Sequence, residues 1–206
     1  MNLILKFLLI FTLLITGEVR NSVHLLDELG DKIRSGYVFE ADMEHEFTDA
    51  FTQETMVNNG RIWIGENRYK VVTADQEITV QGNVSTVFNR AQNKVIISTY
   101  FPEEDDFAPS RFLGNIADTF VISEFSAPRA GIATLSLQSK DVFEMISKAR
   151  IQIREADLIP VSIYAEDQTD NVFLTQFNNG RFIPNHDSIF ALDWPANATV
   201  IDLREE

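Results

Sequence analysis

Residues 37–47, YVFEADMEHEF, alternate between apolar and acidic side chains. On an extended chain Tyr37, Phe39, Ala41, Met43 and Phe47 share one face, and Glu40, Asp42, Glu44 and Glu46 the other. Strand side chains point to opposite faces with a period of two, so this stretch predicts a half-buried antiparallel strand with an aromatic dry face and an acidic wet one. The same beat runs on. Thr55–Ile64 and Tyr69–Thr73 read as strands around a turn at Gly65, Glu66 and Asn67. Glu77–Gln81, Val84–Asn89 and Lys94–Thr99 follow, joined at Gly82-Asn83 and Arg90–Asn93. Further strands are expected at Phe120–Phe125, Ile132–Leu137, Ile151–Ile153, Pro160–Ala165, Asn171–Asn178 and Ser188–Leu192, with a turn at Asp167–Asp170. Turns every 8 to 12 residues or so signal an all-β sandwich or barrel.

Helical patterning is short and local. Asn21 or Ser22 is placed to cap a helix over Val23–Ile33, whose Val23, Leu26, Leu29 and Ile33 share a face. Pro109-Ser110 opens a second, carrying Phe112, Leu113, Ile116 and Phe120. Asp141–Ala149 reads as a helical turn before strand resumes. The expectation is a mainly β fold: one strongly curved antiparallel sheet of about ten or eleven strands, with two or three short helices. Neither an internal repeat nor a linker interrupts residues 18–206, which are read as one domain.

The first 17 residues follow another logic. Lys6 precedes an apolar run, Phe7–Ile15, interrupted only by Thr12, then Thr16 and Gly17. A membrane-spanning helix needs about 20 apolar residues, so this shorter run reads as a signal peptide and the protein as exported. Ile15 stands where a small residue is preferred, so the pattern does not fix the cleavage point.

Composition removes several functions. The chain has no cysteine, which excludes disulfides, thiolate metal sites, a thiol nucleophile and a lipid-modified N-terminal Cys. Against 17 basic residues stand 31 acidic ones, a net charge of −14. That balance disfavours nucleic acid and anionic membrane surfaces. Glu103–Asp106 reads as a compact acidic loop.

Catalytic chemistry finds little footing. Of the histidines at 24, 45 and 186, His45 lies on the apolar face of the opening strand, where a hydrogen-bonded core residue is the commoner occupant. Asn185-His186-Asp187-Ser188 holds the names of a hydrolase triad, but adjacent residues do not converge on one point, so it reads as a polar turn. AEDQTDN lacks the glycine and closing glutamate of a calcium loop. The carboxylates of the opening strand are expected in solvent, where nothing raises a pKa. The reading is a non-enzyme without metal or cofactor.

What remains is apolar material, including 16 Phe. A curved sheet with an aromatic inner face either closes around its own side chains or leaves a cavity for an apolar ligand.

The order of motifs resembles the LolA family of periplasmic outer-membrane lipoprotein carriers. The pieces are an exported leader and a helix, then Phe39, Ala41, Met43 and His45, then Gly60, Ile62 and Ile64, then Tyr69-Lys70-Val71. ITVQGNVSTVFNRAQNKVIIS is similar to the family's next hairpin, and ADLIPVSIYAEDQTDNVFLTQFNN with FALDWPANATVIDL to its closing pattern. The resemblance spans about Val23 to Leu203 and implies an unclosed β-barrel whose mouth is covered by helices, around a hydrophobic cavity for acyl chains. It offers Phe39, Ala41, Met43 and Phe47 as cavity lining, together with Ile62, Ile64, Tyr69 and Val71, then Ile78, Val80 and Phe88, and Phe112 and Ile116 on the second helix. Such a carrier takes lipoproteins from an inner-membrane ABC transporter, crosses the periplasm as a soluble monomer, and delivers them to an outer-membrane receptor or to the outer membrane directly.

There are departures. Many family members carry Lys-Arg-Pro after the G-x-I-x-I strand, whose Arg helps hold the lid closed; here Gly65-Glu66-Asn67 leads to Arg68 with no Arg-Pro. Met43 stands for the usual Phe and His45 for Gln, which leaves His45, Arg68 and Lys70 as polar candidates for gating. Alternatives are a carrier of another lipid, a regulatory module related to envelope-stress sensors that bind an anti-sigma factor, or a filled barrel with a protein-binding role.

Overall fold

The computed structural model describes residues 24–101 and 119–204. The leader, the acidic loop at 103–106 and the second expected helix with Phe112 and Ile116 lie outside these residues. Within them, helix α1 (24–34) precedes twelve strands: β1 (Tyr37–Thr48), β2 (Thr55–Gly65), β3 (Arg68–Thr73), β4 (Gln76–Gln81), β5 (Val84–Asn89), β6 (Lys94–Thr99), β7 (Phe120–Arg129), β8 (Ile132–Ser139), β9 (Ile146–Arg154), β10 (Ile159–Asp167), β11 (Val172–Pro184) and β12 (Thr199–Asp202). All belong to one sheet, ordered β12-β6-β5-β4-β3-β2-β1-β11-β10-β9-β8-β7. Each neighbour pair is antiparallel except β12, which runs parallel to β6. The sheet curls without closing, as expected.

α1 ends where Gly36 takes φ +92°, a left-handed conformation that carries a Cβ penalty for other residues; its N–H bonds to Ile33 O. The chain then enters β1, the seam of the sheet, which pairs with β2 on one side and β11 on the other. Two devices bend the seam. A bulge shifts the β1–β11 register between Glu40 and Asp42, with Asn179 at φ 55° and its amide bonded to Asp42 Oδ2 at 2.7 Å. At Gly60 the β3 backbone comes so close that a Cβ would overlap Val72 O.

One contiguous core proves the curl, because it joins residues from strands far apart in the sheet order. Phe39, Ala41, Met43, Ile62, Ile64, Val71 and Val80 from β1–β4 cluster with Leu135, Leu137, Ile151, Ile153 and Ile163 from β8–β10. Leu25, Leu29 and Ile33 of α1 join the same cluster, so this is the inner face and the helix lies on it.

The outer face of β3–β6 is covered by the chain after β11. A 3-10 turn, Asp187–Ile189, is followed by Phe190, which is wholly buried. Phe190 O accepts from Thr79 Oγ1 (3.1 Å), Lys70 Nζ donates to Ala191 O (2.7 Å), and Asn93 Nδ2 donates to Asn197 O (3.2 Å). This strap ends in β12 on the edge of β6.

Two expected elements are corrected here. Asp141–Ala149 is not helical: residues 141–145 turn and β9 begins at Ile146, paired on both sides by β8 and β10. Ser188–Leu192 is not a strand, because its polar backbone bonds to side chains of β3 and β4 while Phe190 fills the outer face.

Candidate functional site

The inner face of the seam is built as the alternation in β1 expects. Phe39 pairs with Ile64 and Ala41 with Ile62 across β1–β2, while Met43 pairs with Phe177 across β1–β11. Phe39 packs edge-on against Phe177, ring centroids 5.4 Å apart, and at a tilt against Phe182 at 5.7 Å. Tyr69 and Val71 bring β3 onto the same surface, with Tyr69 edge-on to Tyr100. Val80 is buried there, and Ile78 packs against it half-buried.

Towards the end of β1 the wall changes character. Phe47 is half-buried and faces Phe173 at 5.1 Å; His45 stacks on the same Phe173 at 6.3 Å. His45 Nδ1 lies 3.0 Å from Oγ1 of buried Thr175. Burial disfavours the imidazolium and pushes the His45 pKa down to about 4, so the ring is neutral at pH 7. The pair is a polar mark in an apolar wall, at the end where β1 and β11 meet the loops.

The register moves three candidates off this surface. Phe88 pairs with Glu77, and Ile78 with Val87, so Phe88 lies on the outer face, which the strap crosses. Arg68 and Lys70 alternate with Tyr69 and Val71 and also point outward. Arg68 donates to Asn185 Oδ1 (2.6 Å) and Asp187 Oδ1 (3.0 Å), and its guanidinium lies 4.4 Å from the Phe190 ring centroid. Lys70 is held by Ala191 O. Both therefore anchor the strap rather than the inner opening, and the Asn185–Ser188 stretch is the polar turn that receives Arg68.

Glu40 also departs from expectation. It is only 5% exposed. Its carboxylate accepts from Trp63 Nε1 (2.7 Å) and Arg181 Nε (2.6 Å), with Arg61 at 3.1 Å. Burial works to raise this carboxyl's pKa, but the Trp63 and Arg181 hydrogen bonds and the two guanidinium charges together hold it below the usual range. One carboxylate thus ties β1, β2 and β11 on the outer face, opposite the inner wall.

Sequence reasoning overlooked half of the wall. Ala133, Leu135, Leu137, Ala149, Ile151, Ile153, Ile163 and Ala165 form its far side. Alternation in IATLSLQ and ARIQIR carried that signal. A shallow pocket of about 180 Å³ lies on the outside of the same strands. There Lys148 pairs with Glu166 at 2.9 Å, and Tyr164 Oη donates to Glu166 at 2.8 Å.

The arrangement defines an open, curled antiparallel sheet with an apolar inner face and a helix lying on it. No family model matches the chain, and no match to a curated protein is found by sequence. Among solved structures it is similar to an uncharacterized conserved protein from Thermus thermophilus, at 11% identity and a TM-score of 0.55, over 85% of this chain and 98% of that one. It is similar to MucB at 13% identity and a TM-score of 0.51, over 88% of this chain and 66% of that one. A LolA superfamily protein from Nitrosomonas europaea is similar at 11% identity and a TM-score of 0.45, over 81% of this chain and 97% of that one. At such identities the likeness is one of fold.

Proposed function

We propose that the protein is a soluble carrier of the bacterial envelope that shields the acyl chains of lipoproteins against its inner face and moves them from the inner to the outer membrane. The observation that carries this reading is the inner wall itself: a continuous apolar lining, buried in this structure, drawn from both halves of an unclosed sheet and overlaid by α1. Each CH₂ moved from water onto such a surface contributes about 0.8 kcal/mol, so acyl chains bind without directional bonds. α1 rests on the wall through Leu25, Leu29 and Ile33, contacts that another apolar occupant can replace in kind. Transport from an inner-membrane ABC transporter to an outer-membrane receptor, or to that membrane itself, follows from the same reading, with the chain acting as a monomer in the periplasm.

The test is uptake of a triacylated lipopeptide by delipidated protein. A stable complex that stays in solution after detergent removal supports the carrier. Failure both to bind and to solubilise removes it, and tight binding of a polypeptide without acyl chains would support the regulatory alternative instead. Met43→Asp, which places a charge in the wall, is expected to lower lipopeptide binding at least tenfold.

A further inference from the structure

We propose that the protein docks on a zwitterionic lipid bilayer through two aromatic loop tips, Phe51 and Phe143. The proposal deepens the carrier reading by naming the surface at which cargo changes hands. Phe51 is 95% exposed and Phe143 91%, with Val142 beside it at 78%. Phe51 lies in the β1–β2 loop and Phe143 in the β8–β9 loop, and sheet order brings both to the same end. Four strand spacings separate the two hairpins, roughly 19 Å along the sheet.

These tips are held out by the backbone. Asp49 Oδ1 accepts from the N–H groups of Phe51 (2.9 Å) and Thr52 (2.7 Å), and Asp141 Oδ1 from that of Phe143 (2.9 Å). The β10–β11 turn stands between the two loops and is bonded to both. Asn171 Oδ1 accepts from Ala50 N–H at 2.9 Å, and Gln168 Nε2 donates to Val142 O at 3.2 Å and Glu144 O at 2.9 Å. Three loops are thus joined side by side, and these bonds fix the backbone that carries each exposed ring.

Two separated, protruding rings suit a fluid that deforms around each, whereas a protein partner would need two preformed pockets at the same spacing. The rim decides the lipid. Asp49, Glu54, Asp141, Glu144, Asp167 and Asp170 lie in or beside the three loops, against Lys140 and a Lys148 that is paired with Glu166. Carboxylates repel an anionic surface but face the outward ammonium groups of phosphatidylethanolamine or phosphatidylcholine favourably. The same end carries Phe47, Phe173 and the His45–Thr175 pair on the inner wall, so a chain leaving that wall here meets the bilayer directly.

The experiment is vesicle flotation of the empty protein from residue 18 onward, without the apolar leader, against the same chain carrying F51S/F143S. With phosphatidylcholine vesicles the variant is expected to lose on the order of 100-fold in partitioning, about tenfold per ring, at an unchanged urea midpoint. Replacing half the lipid by phosphatidylglycerol should weaken the wild type. In a Phe143→Trp protein, the emission added to that of Trp63 and Trp194 should shift to the blue and be quenched by lipids brominated in their acyl chains. Equal flotation of the two proteins, stronger binding to anionic vesicles, or no quenching beyond that of the wild type overturns the proposal. So does a variant that floats normally but loses a protein partner. Lipopeptide uptake from detergent solution separates the two readings: loss of flotation in F51S/F143S with uptake intact supports docking, whereas flotation by a wild type that takes up no lipopeptide leaves docking standing and removes the carrier.

Discussion

Replacing Glu40 tests whether the outer face sets the geometry of the inner one. The carboxylate accepts a hydrogen bond from Trp63 Nε1 and bonds to Arg181 and Arg61. In Glu40→Ala the indole N–H of half-buried Trp63 loses its acceptor, which costs about 1–3 kcal/mol. The guanidinium groups matter less, because the side chains of Arg61 and Arg181 are 47% and 65% exposed and water takes over their charge; each adds ~0–1 kcal/mol. The expected loss is therefore about 2–4 kcal/mol, read by urea unfolding at pH 7. Glu40→Gln keeps an acceptor for Trp63 and should lose about half as much. Combining Glu40→Ala with Trp63→Phe should recover ~1–2 kcal/mol of coupling, since the indole donor is then gone too.

The sign of the pH effect follows from the lowered Glu40 pKa. A carboxyl depressed on folding contributes stability that is full above its unfolded value of 4.5 and is lost as pH falls through the folded one. The gap between wild type and Glu40→Gln should thus be constant from pH 7 to about 5 and narrow below 4.5. A Glu40→Ala protein within ~0.5 kcal/mol of wild type, or a gap that widens on acidification, would refute the keystone role.

Three further outcomes are expected. Phe190→Ala empties a fully buried site under the strap and should cost about 3–4 kcal/mol in urea unfolding, with β12 amides near Thr199 losing hydrogen-exchange protection first. Gly60→Ala forces a methyl against the Val72 carbonyl, a backbone atom that cannot swing away, and should lower stability by about 1–3 kcal/mol, whereas Ala41→Gly should leave that seam's register intact by amide exchange. His45 titrates near 4, below its unfolded 6.5, so the unfolded chain takes up the proton first as pH falls; wild-type stability should decline from pH 6.5 towards 4 more steeply than that of His45→Gln, and the His45 C2–H resonance should show the low midpoint directly.

Much of the sheet was legible because one strand face is dry and the other wet. β5 and β6 fall where the pattern put them, and the turns at Gly82-Asn83 and Arg90–Asn93 are real. Alternation says which residues share a face, though, not which face is inside. In β5, Val84, Thr86 and Phe88 share one side and Ser85, Val87 and Asn89 the other, with apolar groups on both. Only the β4 register, Glu77 against Phe88, assigns them. Arg68 and Lys70 were separable from Tyr69 and Val71 by parity alone; what parity lacks is the strap, whose Asn185, Asp187 and Phe190 arrive from more than 100 positions away. Glu40 was read with Asp42, Glu44 and Glu46 as solvated for the same reason, since Arg181 is brought to it only by β11. The 141–149 stretch had helical composition, but pairing from β8 and β10 outweighs a propensity difference of a few tenths of a kcal/mol per residue.

The two faces of this sheet are therefore stabilised by different physics, and that difference bears on function. On the outside, Glu40, Arg68 and Lys70 hold their partners by charge-assisted hydrogen bonds with fixed directions, so moving β1, β2 or the strap means breaking bonds that water only partly replaces. On the inside, α1 and the wall meet through Leu, Ile and Phe side chains, whose attraction depends on area and not on direction. A sheet pinned outside and greasy inside keeps its curvature while one apolar occupant replaces another, because the exchange costs no directional bond. A carrier needs that combination: a filled barrel with polar ties across its interior would hold its contents, and a sheet without the outer ties would flatten when emptied. Substitutions on the outer face should accordingly change stability with little effect on lipid affinity per unit of folded protein, whereas inner-wall substitutions should lower both, because the same buried residues form the core. Measuring both quantities on Glu40→Gln and Met43→Asp decides the point, and equal effects of the two variants on affinity would show that the faces are not separable.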